Sequence, residues 1–473
     1  MTLIFSNHKF QYEIERLFRS FFPPMELKLS TDTADAQVDY CLTERAEDGN
    51  IVTLSVQLSC DGKSYSMSRT VPASTPGKEQ EREMSVLLYK ALREYTGRDL
   101  PWGILTGVRP VKVLSKLTDA QALQSLLVSS RKLQLARRIE QVQKPLEDSI
   151  PANSFSLYVS IPFCPTRCSY CSFVSHSVSQ AAERLDEYLR RVCEEMKQLA
   201  TISRHLGLIP DTIYFGGGTP TVLSAEQLKR LFAALEYFDL SHIREFTVEA
   251  GRPDTITAEK LTAIKSAGAG RISVNPQTMN DQVLKAIGRA HDSAQTEQAF
   301  LMAREIGFDV INMDLIAGLP TDNFDSFAAS LDAVCGLSPE NITVHSLSLK
   351  RAAALFREKS GNTPGEAEKM IDYSHSKLAE CGYVPYYLYR QKNTADNQEN
   401  TGYAKPGCES LYNTYIMEEL QTILAVGAGA STKLVDRKSG RIKRITNHKY
   451  PYEYLDRFTD ILENKRDIFG FFV

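Results

Sequence analysis

From residue 155 onward the chain repeats one pattern, a short apolar run followed by a longer segment of helical periodicity. The apolar runs read LYVSI, TIYF, FTVE, RISV, VINMDLI and ITVHSL. Between them lie AAERLDEYLRRVCEEMKQLA, SAEQLKRLFAALEYF, TAEKLTAIKSAG and SAQTEQAFLMAREIG. Short strands alternating with helices build a parallel sheet of βα units. Six strands predict an α/β fold, a partial (β/α)6 barrel with its working residues at the C-terminal ends of the strands. The pattern fades after about residue 350, where helix (PGEAEKMIDYSHSKLAEC), strand (YVPYYLYRQ) and Gly/Asn/Tyr-rich sequence mix.

Residues 1–150 have another texture. Phe10, Ile14, Leu17 and Phe18 share a helical face. VDYCLTE and IVTLSVQLSC flank AEDGN as a hairpin, which KSYSMSRTV continues after CDGK. A charged helix and two further helical stretches follow, which predicts a small α+β domain. Lys144–Ser154, with two prolines, reads as a linker. The expected division is an N-terminal α+β domain (1–150), a barrel (151–350) and a mixed α/β C-terminal region (351–473) that closes the site and selects the substrate. Trp102, Arg109 and Lys112 in WGILTGVRPVKV fit docking of the first domain on the barrel better than a partner or RNA contact.

Lys+Arg number 55 against 58 Asp+Glu, a net of −3, so no overall positive field points to nucleic acid or a membrane surface. The N-terminus lacks a basic and apolar leader, and TILAVGAGA is too short to span a bilayer. A reduced cytoplasm is therefore expected, where clustered cysteines are ligands rather than disulfides. Three of the nine cysteines cluster in YVSIPFCPTRCSYCSF, as Cys164, Cys168 and Cys171 with the spacing CxxxCxxC. Thiolates at this spacing suit zinc, Cu(I) or an iron–sulfur centre. His176 offers the fourth ligand of a Cys3His zinc site. An iron–sulfur cluster held by three cysteines instead leaves one iron open.

Polar and glycine motifs follow the later strands. FGGGTPT places Gly216, Gly217, Gly218 and Thr219 at one strand end, either a tight turn or a close approach to a ligand. Glu249 ends the next strand in TVEAGRPD, as a solvated carboxylate or an acceptor for a ligand's amine or hydroxyls. NPQTMNDQVLKAIGRAH supplies Gln277 and Arg289. Asp314 sits in the apolar strand NMDLIAGLP and needs a partner, either Arg289 or a ligand. Further on, Lys350, Arg351 and Arg390 are candidate carboxylate partners or plain surface charges. Tyr386, Tyr387 and Tyr389 are pocket walls or core.

A CxxxCxxC loop after the first strand of such a barrel resembles the radical S-adenosylmethionine (radical-SAM) superfamily. The combination of YVxIPFCxxxCxYC, FGGGTPT, NPQ…IGRAH and DLIAGLP is similar to its oxygen-independent coproporphyrinogen III oxidase-like branch, over residues 155–350 and more loosely 400–433. EAGRPDTI, RISVNPQTMN and the extra N-terminal domain resemble its coproporphyrinogen dehydrogenase subfamily. The resemblance implies a 4Fe–4S cluster on Cys164, Cys168 and Cys171, with SAM on the open iron. Tyr158, six residues before the first cysteine, falls on a SAM-contacting tyrosine and, with Glu249, on the catalytic positions. Tyr170 matches the aromatic before the last cysteine. Gly217, Gly218 and Thr219 fall on the SAM-methionine loop, and Glu249, Gln277, Arg289 and Asp314 on polar contacts to SAM. LAVGAGAST resembles a late segment that closes over the active site.

The implied chemistry is one-electron reduction of SAM to a 5′-deoxyadenosyl radical, which removes a hydrogen atom from substrate. Here that would be oxidative decarboxylation of two coproporphyrinogen III propionates to vinyl groups, giving protoporphyrinogen IX in haem biosynthesis. The implied partners are the tetrapyrrole and a small electron-donor protein of flavodoxin or ferredoxin type. Two positions depart from the oxidases: Ser160 replaces a histidine and Phe173 an extra cysteine. Haem-transferring relatives share the second departure. A haem carrier or chaperone on the same fold, and a radical-SAM enzyme for another substrate (haem ring-opening, RNA modification), therefore stay open.

Overall fold

The computed structural model describes residues 1–22, 25–171, 176–348, 365–392 and 394–472. The chain forms two compact units, Met1–Glu140 and Gln141–Val473.

In the first unit, strands β1 (Thr2–Ser6), β2 (Lys28–Ser30), β3 (Tyr40–Asp48), β4 (Ile51–Cys60) and β5 (Lys63–Pro72) form one sheet in the order β2-β1-β3-β4-β5. Asp61 and Gly62 join β4 to β5 with φ of 49° and 74°, the left-handed pair that matches the twist of a two-residue hairpin. Alternate residues Val52, Leu54, Val56 and Leu58 of β4 are buried together with Ile14, Leu17, Phe18 and Phe21 of helix Gln11–Phe21 and Leu88 and Leu92 of helix Gly77–Thr96. The first part of the supposed linker is helical instead. Helix Ser130–Asp148 runs through it with Pro145 inside.

The second unit is built on one sheet of eleven strands. These are β6 (Ser154–Ile161), β9 (Ile209–Gly217), β10 (Glu245–Glu249), β11 (Arg271–Ser273), β12 (Val310–Ala317), β13 (Asn341–Ser346), β14 (Val384–Arg390), β15 (Glu399–Ala404), β16 (Thr422–Val426), β17 (Ser431–Val435) and β18 (Ile442–Thr446). A separate pair, β7 (Phe163–Cys164) and β8 (His176–Ser177), lies between β6 and β9 in sequence. The strand order is β14-β15-β13-β12-β11-β10-β9-β6-β16-β17-β18. β6 and β9–β13 are the expected six parallel βα strands. The last third of the chain extends the same sheet at both edges: β15 runs antiparallel to β13, and β16 runs parallel to β6.

The parallel strands sort their residues by a period of two. One set, Ile213, Phe215, Val248, Ile272, Met313, Leu315 and Val344, packs in the hydrophobic core with Leu189, Val192 and Met196 of helix Leu185–His205. The alternating set is polar: Tyr214, Thr247, Glu249, Arg271, Ser273, Asn312, Asp314, Thr343 and His345. Polar side chains on the inner face leave a cavity where an apolar set would fill the barrel with packed layers.

A buried ion pair ties the C-terminal helix Phe458–Lys465 to this sheet. Lys465 Nζ lies 3.2 Å from Glu195 Oε1, both side chains fully buried. The Lys465 ammonium also donates to the Ala425 carbonyl (2.6 Å) and Thr432 Oγ1 (3.1 Å). Glu195 accepts from Gly427 N–H (2.8 Å), Tyr454 hydroxyl (2.7 Å) and Asn447 Nδ2 (2.8 Å). Removing one partner of a buried pair strands the other charge, so Lys465→Met should cost about 3 kcal/mol. The readout is the denaturant midpoint. Lys465→Met combined with Glu195→Gln should recover much of the loss, and a midpoint unmoved by the single change would contradict the assignment.

Candidate active site

The cysteine loop leaves β6 at Ile161 and is closed at its base by a short ladder. Phe163 pairs with His176 and Cys164 with Ser177, while the His176 N–H donates to the Pro162 carbonyl (3.1 Å). The glycine-rich end of β9 grips the same loop. Gly218 N–H donates to the Ile161 carbonyl and Thr219 N–H to the Phe163 carbonyl, both at 2.8 Å. A Cβ on Gly218 would stand 2.5 Å from the Phe163 oxygen, and one on Gly216 would stand 3.0 Å from the Glu249 carboxyl. These two glycines thus allow β9 to touch protein backbone and a site carboxylate, as well as leaving room for a ligand. Gly218→Ala must push Phe163, and with it Cys164, out of place. The variant should keep its circular-dichroism spectrum but lose at least about half of its bound iron after reconstitution.

The three cysteines line one cavity of about 370 Å³ together with Tyr170, Gly217, Gly218, Thr219, Glu249, Gln277, Arg289 and Asp314. Arg289 donates to the Tyr170 hydroxyl and the Gly251 carbonyl, both at 3.0 Å. It makes no pair with Asp314. That carboxylate accepts from Asn312 Nδ2 (2.8 Å) and faces His345 Nε2 at 3.7 Å. Burial alone would raise the Asp314 carboxyl, but His345, with Asn312 and Thr343, holds it below its ordinary value. Glu249 goes the other way. Burial pushes it up to about 7, helped by the Asp314 charge and opposed by the Tyr214 hydroxyl that donates to it at 2.6 Å. Gln277 holds a left-handed φ of 70°, locked by its N–H to the Asp314 carbonyl and its carbonyl to the Ile316 N–H, both at 2.9 Å.

Two expected site residues lie off the cavity wall. Tyr158 stacks on Tyr214 (6.1 Å, 24°) and Tyr412 (6.1 Å, 11°), and Tyr214 supplies the ring that faces the cavity. Arg390 is buried, with Nη2 donating to the Asn397 carbonyl at 3.1 Å. Lys350, Arg351 and Phe173 lie outside the described residues. Ser160 is buried away from the cavity and donates to the Ala428 carbonyl (2.9 Å) at the end of β16. Tyr386, Tyr387, Tyr389 and His345 do line the cavity. So do Thr247, Arg271, Ser273, Asn275, Asn312 and Thr343, which the motif search passed over although the period-two alternation points to most of them.

The donor set fits a multi-iron cluster. Cys164, Cys168 and Cys171 all line the cavity, and three soft sulfur donors on one short loop suit an iron–sulfur centre. His176 instead meets Tyr452 edge-on at 5.4 Å. The rest of the wall suits a zwitterionic ligand, with carboxylates Glu249 and Asp314 and an unpartnered buried acceptor, Asn275 Oδ1.

The Radical SAM superfamily matches residues 158–334. The oxygen-independent coproporphyrinogen-III oxidase-like protein HemZ of Bacillus subtilis is 39% identical over 404 residues, covering 82% of this chain and 81% of the relative. The chain belongs to this radical-SAM family. The heme chaperone HemW of B. subtilis is also similar to this radical-SAM protein, 35% identical over 283 residues, 58% of this chain and 70% of the chaperone. The coproporphyrinogen III oxidase HemN of Escherichia coli shares the fold, with a TM-score of 0.54 and 24% identity over 67% of this chain and 71% of that one. Members of the radical-SAM superfamily bind a 4Fe–4S cluster and SAM. Among the described residues of this member, no helix is long and apolar enough to cross a membrane.

Proposed function

We propose that this radical-SAM protein oxidatively decarboxylates the propionates of coproporphyrinogen III to vinyl groups, giving protoporphyrinogen IX without oxygen. Per propionate, the β-carbon gives up a hydrogen atom, the carboxylate leaves as CO₂, and one further electron is removed to an acceptor. The observation that carries this reading is one cavity that brings together three cysteines, polar contacts and an aromatic wall of Tyr386, Tyr387 and Tyr389. It agrees with the similarity to the oxidase-like HemZ.

When bound, the reduced cluster and SAM supply the oxidant that takes the hydrogen atom. Cys164, Cys168 and Cys171 would hold the cluster. Glu249 and Asp314 would accept the ligand's ammonium and hydroxyls, while Gly217, Gly218 and Thr219 present a Cβ-poor strand end. A cavity of about 370 Å³ holds one ligand of SAM's size. Lys350 and Arg351 are the proposed propionate partners, and a small flavodoxin- or ferredoxin-type protein is the proposed electron donor.

The test is anaerobic turnover of reconstituted protein with SAM, a reductant and coproporphyrinogen III. Protoporphyrinogen IX is the expected product. Deoxyadenosine without it would sink the oxidase reading. The similarity to HemW keeps one second reading, haem carriage. Stoichiometric haem retention without SAM turnover would favour that one.

A further inference from the structure

We infer that Arg252 tunes the reduction potential of the site as the electrostatic partner of the Cys168 sulfur, an inference that rests on the cluster assignment above. Arg252 follows β10 in EAGRPD and is only 3% exposed. Its Nη1 donates to Cys168 Sγ at 3.5 Å and to the Thr166 carbonyl at 3.4 Å. Its Nη2 donates to Thr166 Oγ1 at 3.1 Å and to Asp254 Oδ2 at 2.9 Å, and Nε to Asp254 Oδ1 at 2.9 Å. Every N–H of the guanidinium is thereby directed at the cysteine loop or at its own anchor.

A buried histidine faces the anchor. His291, with its side chain fully buried, places Nδ1 3.5 Å from Asp254 Oδ1. Burial would raise the Asp254 carboxyl, but His291 and Arg252 hold it far below the usual carboxylate range, so it stays ionised. The arrangement is a line that ends on one ligand sulfur: the Asp254 carboxylate, the Arg252 guanidinium and Cys168 Sγ, which would be a thiolate with a cluster bound. By clamping both polar atoms of Thr166, Arg252 also shapes the loop between the first two cysteines.

Hydrogen bonds to ligand sulfurs and net charge near a cluster set its potential. An electron added to a bound cluster increases the negative charge on its thiolate ligands, and a buried cationic N–H stabilises that charge. Arg252 therefore makes reduction easier, and Asp254 moderates the effect by neutralising part of the cation. The two residues thus have opposite signs, which a purely structural role would not produce.

The test is an EPR-monitored redox titration of the anaerobically reconstituted full chain, with iron and sulfide content measured in parallel. Arg252→Met should lower the midpoint potential at wild-type cluster content, and Arg252→Lys, which keeps the charge, should fall between the two. Asp254→Asn should raise it. An unchanged or higher midpoint in a fully loaded Arg252→Met variant would overturn the inference. If that variant fails to load, Asp254→Asn decides, and a midpoint that does not rise overturns it equally. A wild-type chain that takes up no cluster would refute the cluster assignment beneath the inference, an outcome distinct from either.

Discussion

Replacing Cys168 with alanine is expected to abolish the visible absorption of the reconstituted protein and all SAM cleavage. Two thiolates and no third cannot satisfy a cluster that already leaves one iron open, and the loop offers no substitute. Its nearest histidine, His176, is packed edge-on against Tyr452 at 5.4 Å. The six cysteines outside the loop provide an internal control. Cys41, for example, is buried in the first unit, and burial pushes its thiol up to about 12, where it neither ligates nor reacts. Cys41→Ala should leave iron content unchanged. Normal cluster content in Cys168→Ala would show that the ligand assignment is wrong.

The second large effect belongs to Glu249. Its carboxyl is raised to about 7, first by burial and then by the charge of Asp314. A raised carboxyl means that the native state holds a proton that the unfolded chain has released, so stability falls as pH rises from the ordinary carboxylate range through about 7. Glu249→Gln should remove that fall and be more stable than wild type at pH 8, by up to about 3 kcal/mol. The same change removes the negative charge proposed to meet the ligand's ammonium. SAM affinity in wild type should rise with pH through about 7 as Glu249 ionises. In Glu249→Gln it should be about 100-fold weaker at pH 8 and flat with pH. Calorimetric titration across pH 6–8 reads both. A variant that gains no stability and binds SAM as wild type does would show that the carboxylate is not part of the binding site. A half-buried charge that costs stability in the unliganded protein is the kind of residue kept for binding rather than for folding.

The strand-and-helix rhythm was legible because each parallel strand is covered by helices and reads as a short apolar run. The cysteine loop was legible because its spacing is local. The inner polar face was also written in the chain, as Thr247–Glu249, Arg271–Ser273, Asn312–Asp314 and Thr343–His345, each pair two residues apart on one strand. Glu249 and Asp314 stand out as carboxylates near strand ends, whereas Thr247, Arg271, Ser273, Asn312 and Thr343 show only as the alternate residues of their strands. Tyr158 shows a different limit. Its spacing from Cys164 was visible, but only the pairing of β6 with β9 puts Tyr214 beside it, and that ring takes the place at the cavity wall. Arg252 carried no signal of its own. Its role depends on the turn after β10 reaching Thr166 and Cys168, across 84 residues of sequence from the latter. YVPYYLYRQ reads as a strand and is β14, but the place of the last five strands on opposite edges of the sheet was hidden for the same reason. β15 joins β13 and β16 joins β6 through pairings between segments far apart in the chain, which no local pattern records.

The most direct measurement follows hydrogen from substrate to cofactor. Coproporphyrinogen III carrying deuterium at the propionate β-carbons would be incubated anaerobically with reconstituted protein, SAM and a one-electron reductant. The account predicts that 5′-deoxyadenosine gains deuterium as vinyl groups and CO₂ appear, with the yield of label tracking that of CO₂. Deoxyadenosine that stays unlabelled while the porphyrinogen is recovered intact would contradict it.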